Sequence, residues 1–234
     1  MSSYLFPPPG PVTVPIEEGG LFPVRRIYLI GRNYADHVRE LGGDPKKDPP
    51  VFFGKPPDSV IVPTTEFPGV PYAQMTADFH YEAEIVLALE TGGRDLAPEQ
   101  AAKGIWGVGL GCDLTRRDLQ YQAKEAGTPW DMAKGFDHSA VMGPLRRGAV
   151  LDPDMVLSLT VNGETKQSSA LRHMIWSPAE LLSRLSKFVE LKPGDLIFTG
   201  TPDGVGPLIP GDRVEIEAGD LPPLHFDILP AARG

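Results

Sequence analysis

Glycine and proline restrict this chain more than any other residues. Each occurs 26 times in 234 residues, more than a fifth of the sequence, against about 12% in ordinary proteins. Glycine weakens a helix interior and proline breaks one. The excess is spread along the chain rather than gathered in one tract. Long helices are therefore disfavoured, and many short strands joined by turns are expected.

The local patterns agree. Short strands are expected at 25–31 (RRIYLIG), 51–56 (VFFGKP), 59–63 (SVIVP), 106–114 (WGVGLGCDL), 195–202 (DLIFTGTP) and 212–219 (DRVEIEAG), with a longer one at 79–90 (FHYEAEIVLALE). Asn162-Gly163 between alternating runs predicts a hairpin over 155–169, because a type I′ turn needs two residues that tolerate positive φ. Short helices are expected at 33–43, stopped by Gly42 or Gly43, at 96–105, at 116–127 and after Ser177. There Ser177-Pro178-Ala179-Glu180 forms a capping box with proline at the first helical position. The strands and helices do not alternate regularly, so the fold class is α+β with a β-rich core. Residues 1–23 are proline-rich and read as an extended segment, 24–234 as a single catalytic domain, and 43–50 (GDPKKDPP) as a mobile loop.

The net charge of −9 argues against nucleic acid and anionic membrane as partners. No apolar run approaches the roughly 20 residues that span a bilayer. The first residues, MSSYLFPPPGPVTVP, lack the basic start and apolar middle of a signal peptide. One cysteine, Cys112, excludes an internal disulfide and a cysteine metal cluster. A cytoplasmic location is expected.

Four constellations could carry chemistry. Glu82 and Glu84 lie two apart in an apolar strand, so both point to one face, about 7 Å apart along it. Buried together they would repel, and a divalent cation with oxygen ligands would relieve the repulsion. Asp113 offers a third carboxylate, on a strand face shared with Gly107, Gly109 and Gly111. Those missing side chains leave room for a ligand or for close backbone approach. Taken alone, the spacing suits two carboxylates facing water better. His37 and Glu40 are neighbours on a helix at i and i+3, so Glu40 can orient the imidazole as a base; an incidental surface pair fits the spacing more simply. Lys134, in MAKGFD, could bind an anion or an oxyanion, and Arg117 and Gln120 could hold a substrate carboxylate and carbonyl. A solvated lysine and an ordinary polar helix face are their plain alternatives. The turn 198–207 (FTGTPDGVGP) lacks a nucleotide-binding pattern, and with Thr201 it suits a keto-acid cradle or a simple β-turn.

Taken together, GRNYADHVRELG, YEAEIVLAL, GLGCDLTRRDLQ, WDMAKGFD, VNGE and LKPGDLIFTGTPDGVGP resemble, in this order, the fumarylacetoacetate hydrolase family. The match runs from about residue 25 to 219. The compact chain is similar to the acylpyruvase branch, and FPVRRIYLIGRNYADHVRELGGDP to the bacterial fumarylpyruvate hydrolases of gentisate breakdown. The resemblance implies a mixed β-sandwich roll, a homodimer, and one Mg²⁺ or Mn²⁺ per chain. It places the metal carboxylates on Glu82, Glu84 and Asp113 and the base dyad on His37 and Glu40. Substrate and oxyanion contacts fall on Arg117, Gln120, Lys134 and Thr201, and a lid follows His37. The activity it implies is hydrolysis of a C–C bond in an acylpyruvate, fumarylpyruvate giving fumarate and pyruvate. Decarboxylation or tautomerisation of oxaloacetate at the same site is the nearest alternative. A Schiff-base lyase using Lys134 and a metal-stabilised, non-enzymatic binding module stand further off.

Overall fold

The strand Ala83–Leu89 is buried at every one of its seven residues. Its alternate side chains enter two different cores. Ala83, Ile85, Leu87 and Leu89 join a larger core with Leu157, Leu159, Val214 and Ile216, and with Leu181, Leu182 and Leu185 of a helix. Val86 and Ala88 join a second core with Ile27, Leu29, Leu196 and Phe198. A strand covered on both faces is expected to be apolar, which accounts for every residue of AEIVLAL except Glu84.

The computed structural model describes residues 4–40, 42, 49–65 and 68–231. Among these, Ala83–Leu89 sits between Asp195–Phe198 and Ile105–Asp113 in an eight-stranded mixed sheet. Val51–Lys55 and Arg26–Gly31 extend that sheet on one side, and Ala140–Met142 and Val60–Ile61 on the other. A five-stranded sheet covers the larger core; its order is Glu164–Ala170, Val156–Val161, Arg213–Ala218, Leu224–Leu229, Gly69–Pro71. Along Arg213–Ala218 exposed and buried residues alternate, as they must when one face meets a core and the other water. The architecture is α+β and β-rich, with few and short helices. Among the described residues no helix is long and apolar enough to cross a membrane.

The turn chemistry does what its residue types dictate. Asn162 and Gly163 both have positive φ, 53° and 79°, and join Val156–Val161 to Glu164–Ala170. Ser177 Oγ accepts the Glu180 N–H, and the Glu180 carboxylate accepts the Ser177 N–H at 2.9 Å. These bonds start the helix Pro178–Phe188, whose leucines close the larger core.

Several local expectations change. The strand expected over 79–90 breaks at Glu82: Phe79–Tyr81 pairs with Thr115–Arg116 and Gly206–Pro207 in a separate three-stranded sheet. The chain thus switches sheets where the first carboxylate sits. Within the proline-rich start, Thr13–Pro15 pairs with Leu21–Pro23, and Val14 and Phe22 enter the second core. The first helix covers Ala35–Glu40, and Gly42, at φ 76°, donates its N–H to the Arg39 carbonyl. The stop at Gly43 and most of the expected loop 43–50 lie outside the described residues.

The glycines facing Asp113 are packing positions. A Cβ on Gly111 would lie 2.6 Å from the Phe198 ring and 2.7 Å from Val86; one on Gly107 would lie 2.6 Å from the Arg146 carbonyl oxygen. The missing side chains admit neighbouring chain, not a ligand. Gly111→Ala should therefore destabilise the protein by about 1–3 kcal/mol through overpacking. Urea unfolding measures this, and an unchanged midpoint would contradict it.

Candidate active site

Strand register brings the three carboxylates together. In the antiparallel pairing of Ala83–Leu89 with Ile105–Asp113, Ala83 faces Cys112 and Glu84 faces Gly111. One step further, the Asp113 N–H donates to the Glu82 carbonyl at 2.8 Å. Directly opposed residues point the same way, so Asp113 joins Glu82 and Glu84 on one face. All three are buried, at 5%, 1% and 0% exposure for Glu82, Glu84 and Asp113. Their carboxylate oxygens lie within 4.8 Å of one another. The water-facing arrangement that spacing alone permits is thereby excluded.

Three buried cations surround them. Lys134, at the end of the short helix Asp131–Lys134, donates to Glu82 Oε2 at 2.8 Å, Asp113 Oδ2 at 2.6 Å and Thr115 Oγ1 at 2.6 Å. Lys55 Nζ lies 2.9 Å from Asp113 Oδ1 and donates to the carbonyls of Leu114 and Lys134. Arg117 donates to Glu82 Oε1 and to Gln120 Oε1, each at 2.5 Å. Burial works against ionisation of Glu82, but Lys134 and Arg117 hold its carboxyl well below the usual range. Glu84 differs. Its described partner is the Gly200 N–H at 2.6 Å. Burial, then the charges of Asp113 and Glu82, push its carboxyl well above the usual range.

That contrast is a test of whether the site suits a metal. An all-carboxylate, buried donor set with one incompletely compensated charge fits a hard divalent cation such as Mg²⁺ or Mn²⁺. Glu82, Glu84 and Asp113 are the residues that would hold it.

The other expected residues gather at the same place. A cavity of about 250 Å³ is lined by His37, Glu82, Glu84, Arg117, Gln120, Lys134 and Thr201, among others. The His37 and Glu40 side chains meet as expected, with Nδ1 3.0 Å from Glu40 Oε2. Glu40 is fixed from its other side by the Gly204 N–H at 3.2 Å, and the hydrogen bond to His37 leads the effects that lower its pKa. Glu40 does not line the cavity; it stands behind His37. The Thr201 hydroxyl accepts from Gln167 Nε2 at 2.8 Å.

Three supporting residues escape sequence reasoning. Lys55 pins both Asp113 and the segment carrying Lys134; its only signal is a lysine ending an aromatic strand before two prolines. His80 accepts from Arg117 Nε at 3.4 Å through Nδ1 and bonds Asp78 through Nε2 at 2.8 Å. Gln167 bridges from the hairpin to the Ala83 N–H and Thr201. Polar residues in strands and hairpins carry no mark of their distant partners.

A sequence model described as the C-terminal region of fumarylacetoacetate (FAA) hydrolase matches residues 26–229. The chain belongs to the fumarylacetoacetate hydrolase family. Within that family it is similar to the fumarylpyruvate hydrolase of Pseudomonas aeruginosa, solved in complex with Mn²⁺ and pyruvate: 44% identity, TM-score 0.94, covering 97% of this chain and 99% of that one. It is 38% identical to a Ralstonia fumarylpyruvate hydrolase over 77% of this chain and 93% of the relative. An Escherichia coli oxaloacetate tautomerase is 36% identical over 83% of this chain and 89% of its own length.

Because ligands that bind only the folded state stabilise it, Mg²⁺ or Mn²⁺ at about 100 times its dissociation constant should add about 2.7 kcal/mol. Glu84→Gln should abolish the corresponding rise in melting temperature. In EDTA the same variant should melt no lower than the unsubstituted protein, since it removes a buried like charge. Melts indifferent to either metal would refute the cation site.

Proposed function

We propose that this protein hydrolyses the C–C bond of an acylpyruvate in a metal-dependent reaction, with fumarylpyruvate as substrate and fumarate and pyruvate as products. The reading fits a cytoplasmic homodimer in aromatic catabolism. The observation that carries it is a His–Glu dyad opening on the same cavity as a buried triad of carboxylates. Similarity to the fumarylpyruvate hydrolases of Pseudomonas aeruginosa and Ralstonia supports the substrate.

A cation held by Glu82, Glu84 and Asp113 supplies a Lewis acid for the 2-keto acid end of the substrate. The chain's own residues supply the rest. Glu40 accepts the Nδ1 proton of His37, which leaves Nε2 as the basic nitrogen facing the cavity. His37 takes one proton from water, and the hydroxide adds to the distal carbonyl. Gln120 and Lys134 stabilise the negative charge on that carbonyl oxygen. For this, Lys134 exchanges a carboxylate contact for the substrate oxygen, because its present partners are Glu82, Asp113 and Thr115. Arg117 and Thr201 position the substrate carboxylate. The bond between the methylene and the attacked carbon breaks, the acyl part leaves as a carboxylic acid, and the proton returns to the methylene carbon of pyruvate. Lys134, hydrogen-bonded to two carboxylates, is poorly placed to be a Schiff-base nucleophile, which needs a neutral amine.

The similarity to an oxaloacetate tautomerase favours one second reading, enolisation or decarboxylation of oxaloacetate at the same site. Neither reaction requires activated water. His37→Ala should lower kcat for fumarylpyruvate by roughly 10²–10⁴ while keeping the metal-induced rise in melting temperature. Loss of enol absorbance with fumarylpyruvate, acetylpyruvate and oxaloacetate, with and without EDTA, measures this. Turnover of oxaloacetate alone would reassign the site to the second reading, and EDTA-resistant hydrolysis would remove the metal from the scheme.

A further inference from the structure

The protein is acidic overall, with net charge −9, yet its cavity wall carries four cationic side chains against Glu82 and Glu84: Arg32, Arg117, Lys124 and Lys134. Arg117 and Lys134 bond the carboxylate cluster. Arg32 and Lys124 add positive charge to the same wall.

Their positions are set by the backbone. Arg117, Gln120, Tyr121 and Lys124 all line the cavity from the helix Arg117–Ala126. The spacing i, i+3, i+4, i+7 is one helix face. Lys124 therefore stands roughly 10 Å further along the axis than Arg117. That separation is comparable with the length of an extended diketo acid bearing a second carboxylate. Tyr121 and the aromatic residues Phe53 and Trp130 line the same cavity, a surface suited to a flat, unsaturated acyl chain.

Arg32 is held in a conformation that disfavours it. Its φ is +67°, a left-handed backbone that glycine or asparagine adopts at less cost. Among the described non-glycine residues with such a φ, it is the one lining this cavity. The next residue enforces the geometry. Asn33 is fully buried, donates to the carbonyls of Thr199 at 2.7 Å and Trp176 at 3.2 Å, and accepts the Trp176 N–H at 2.9 Å. A left-handed backbone at a non-glycine residue that lines a cavity points to a functional role for that residue.

Resting on the acylpyruvate reading above, we propose that Arg32 and Lys124 form a distal anion subsite that selects acylpyruvates ending in a second carboxylate. Arginine suits paired hydrogen bonds to a carboxylate, and lysine adds a point charge.

Fumarylpyruvate and crotonylpyruvate test this, because the second replaces only the distal carboxylate with a methyl group. With Mg²⁺, the unsubstituted protein should favour fumarylpyruvate in kcat/KM. Lys124→Met and Arg32→Asn, the latter compatible with the left-handed backbone, should each cut that preference roughly tenfold or more. The loss should fall in KM for fumarylpyruvate, with crotonylpyruvate little changed. Calorimetric binding of fumarate against crotonate repeats the comparison without turnover. No hydrolysis of either acylpyruvate would defeat the hydrolase reading, and the binding pair would still decide the subsite. A fumarate-to-crotonate ratio unchanged in both variants, or equal binding by the unsubstituted protein, would overturn the subsite.

Discussion

Three carboxylates buried within 4.8 Å of one another are the constraint on which the surrounding structure depends. Like charges so close in a low-dielectric interior would destabilise the fold unless compensated. Lys55, Lys134 and Arg117 provide much of that compensation, and they come from three separate parts of the chain. The strand Val51–Lys55, the short helix Asp131–Lys134 and the helix Arg117–Ala126 must all close on the central sheet for the charges to balance. The site therefore acts as a keystone of the fold. The incompletely compensated Glu84 makes the same cluster receptive to a cation.

Around that centre the fold divides its labour. Below the carboxylates, Val86 and Phe198 continue the face as hydrophobic core, packed so closely that only glycine fits at position 111. Beside them, turns deliver polar contacts: the Gly200 N–H donates to Glu84, the Gly204 N–H donates to Glu40, and the Thr201 hydroxyl accepts from Gln167. Two strands and the break at Glu82 hold the candidate cation ligands, while short helices and one turn hold the groups expected to handle substrate.

Different chemical demands can fall on different parts of this one candidate site. Binding a 2-keto acid end requires only the carboxylate cluster and its cations. Hydrolysis requires in addition a base aimed at water, which the His37–Glu40 pair can supply. Under the proposed subsite, discrimination at the acyl end would fall on Arg32 and Lys124, which line the same cavity. Each demand falls on a different group of residues, so each can change with limited effect on the others.

The sequence by itself determined the local features that depend on near neighbours. The glycine and proline excess, the Asn162-Gly163 turn and the Ser177 capping box each act within a few residues, and each formed as its chemistry requires. The family motifs also contain the candidate site residues in order. Only the tertiary structure decided that Glu82 and Glu84 are buried rather than wet, because that depends on Lys55, Arg117 and Lys134 closing on the cluster from distant parts of the chain. It alone showed that the glycines opposite serve packing, that the strand breaks at Glu82 to change sheets, and that Lys55, His80 and Gln167 support the site. Those facts rest on strand register and on contacts between residues tens of positions apart, and a one-dimensional pattern does not specify them.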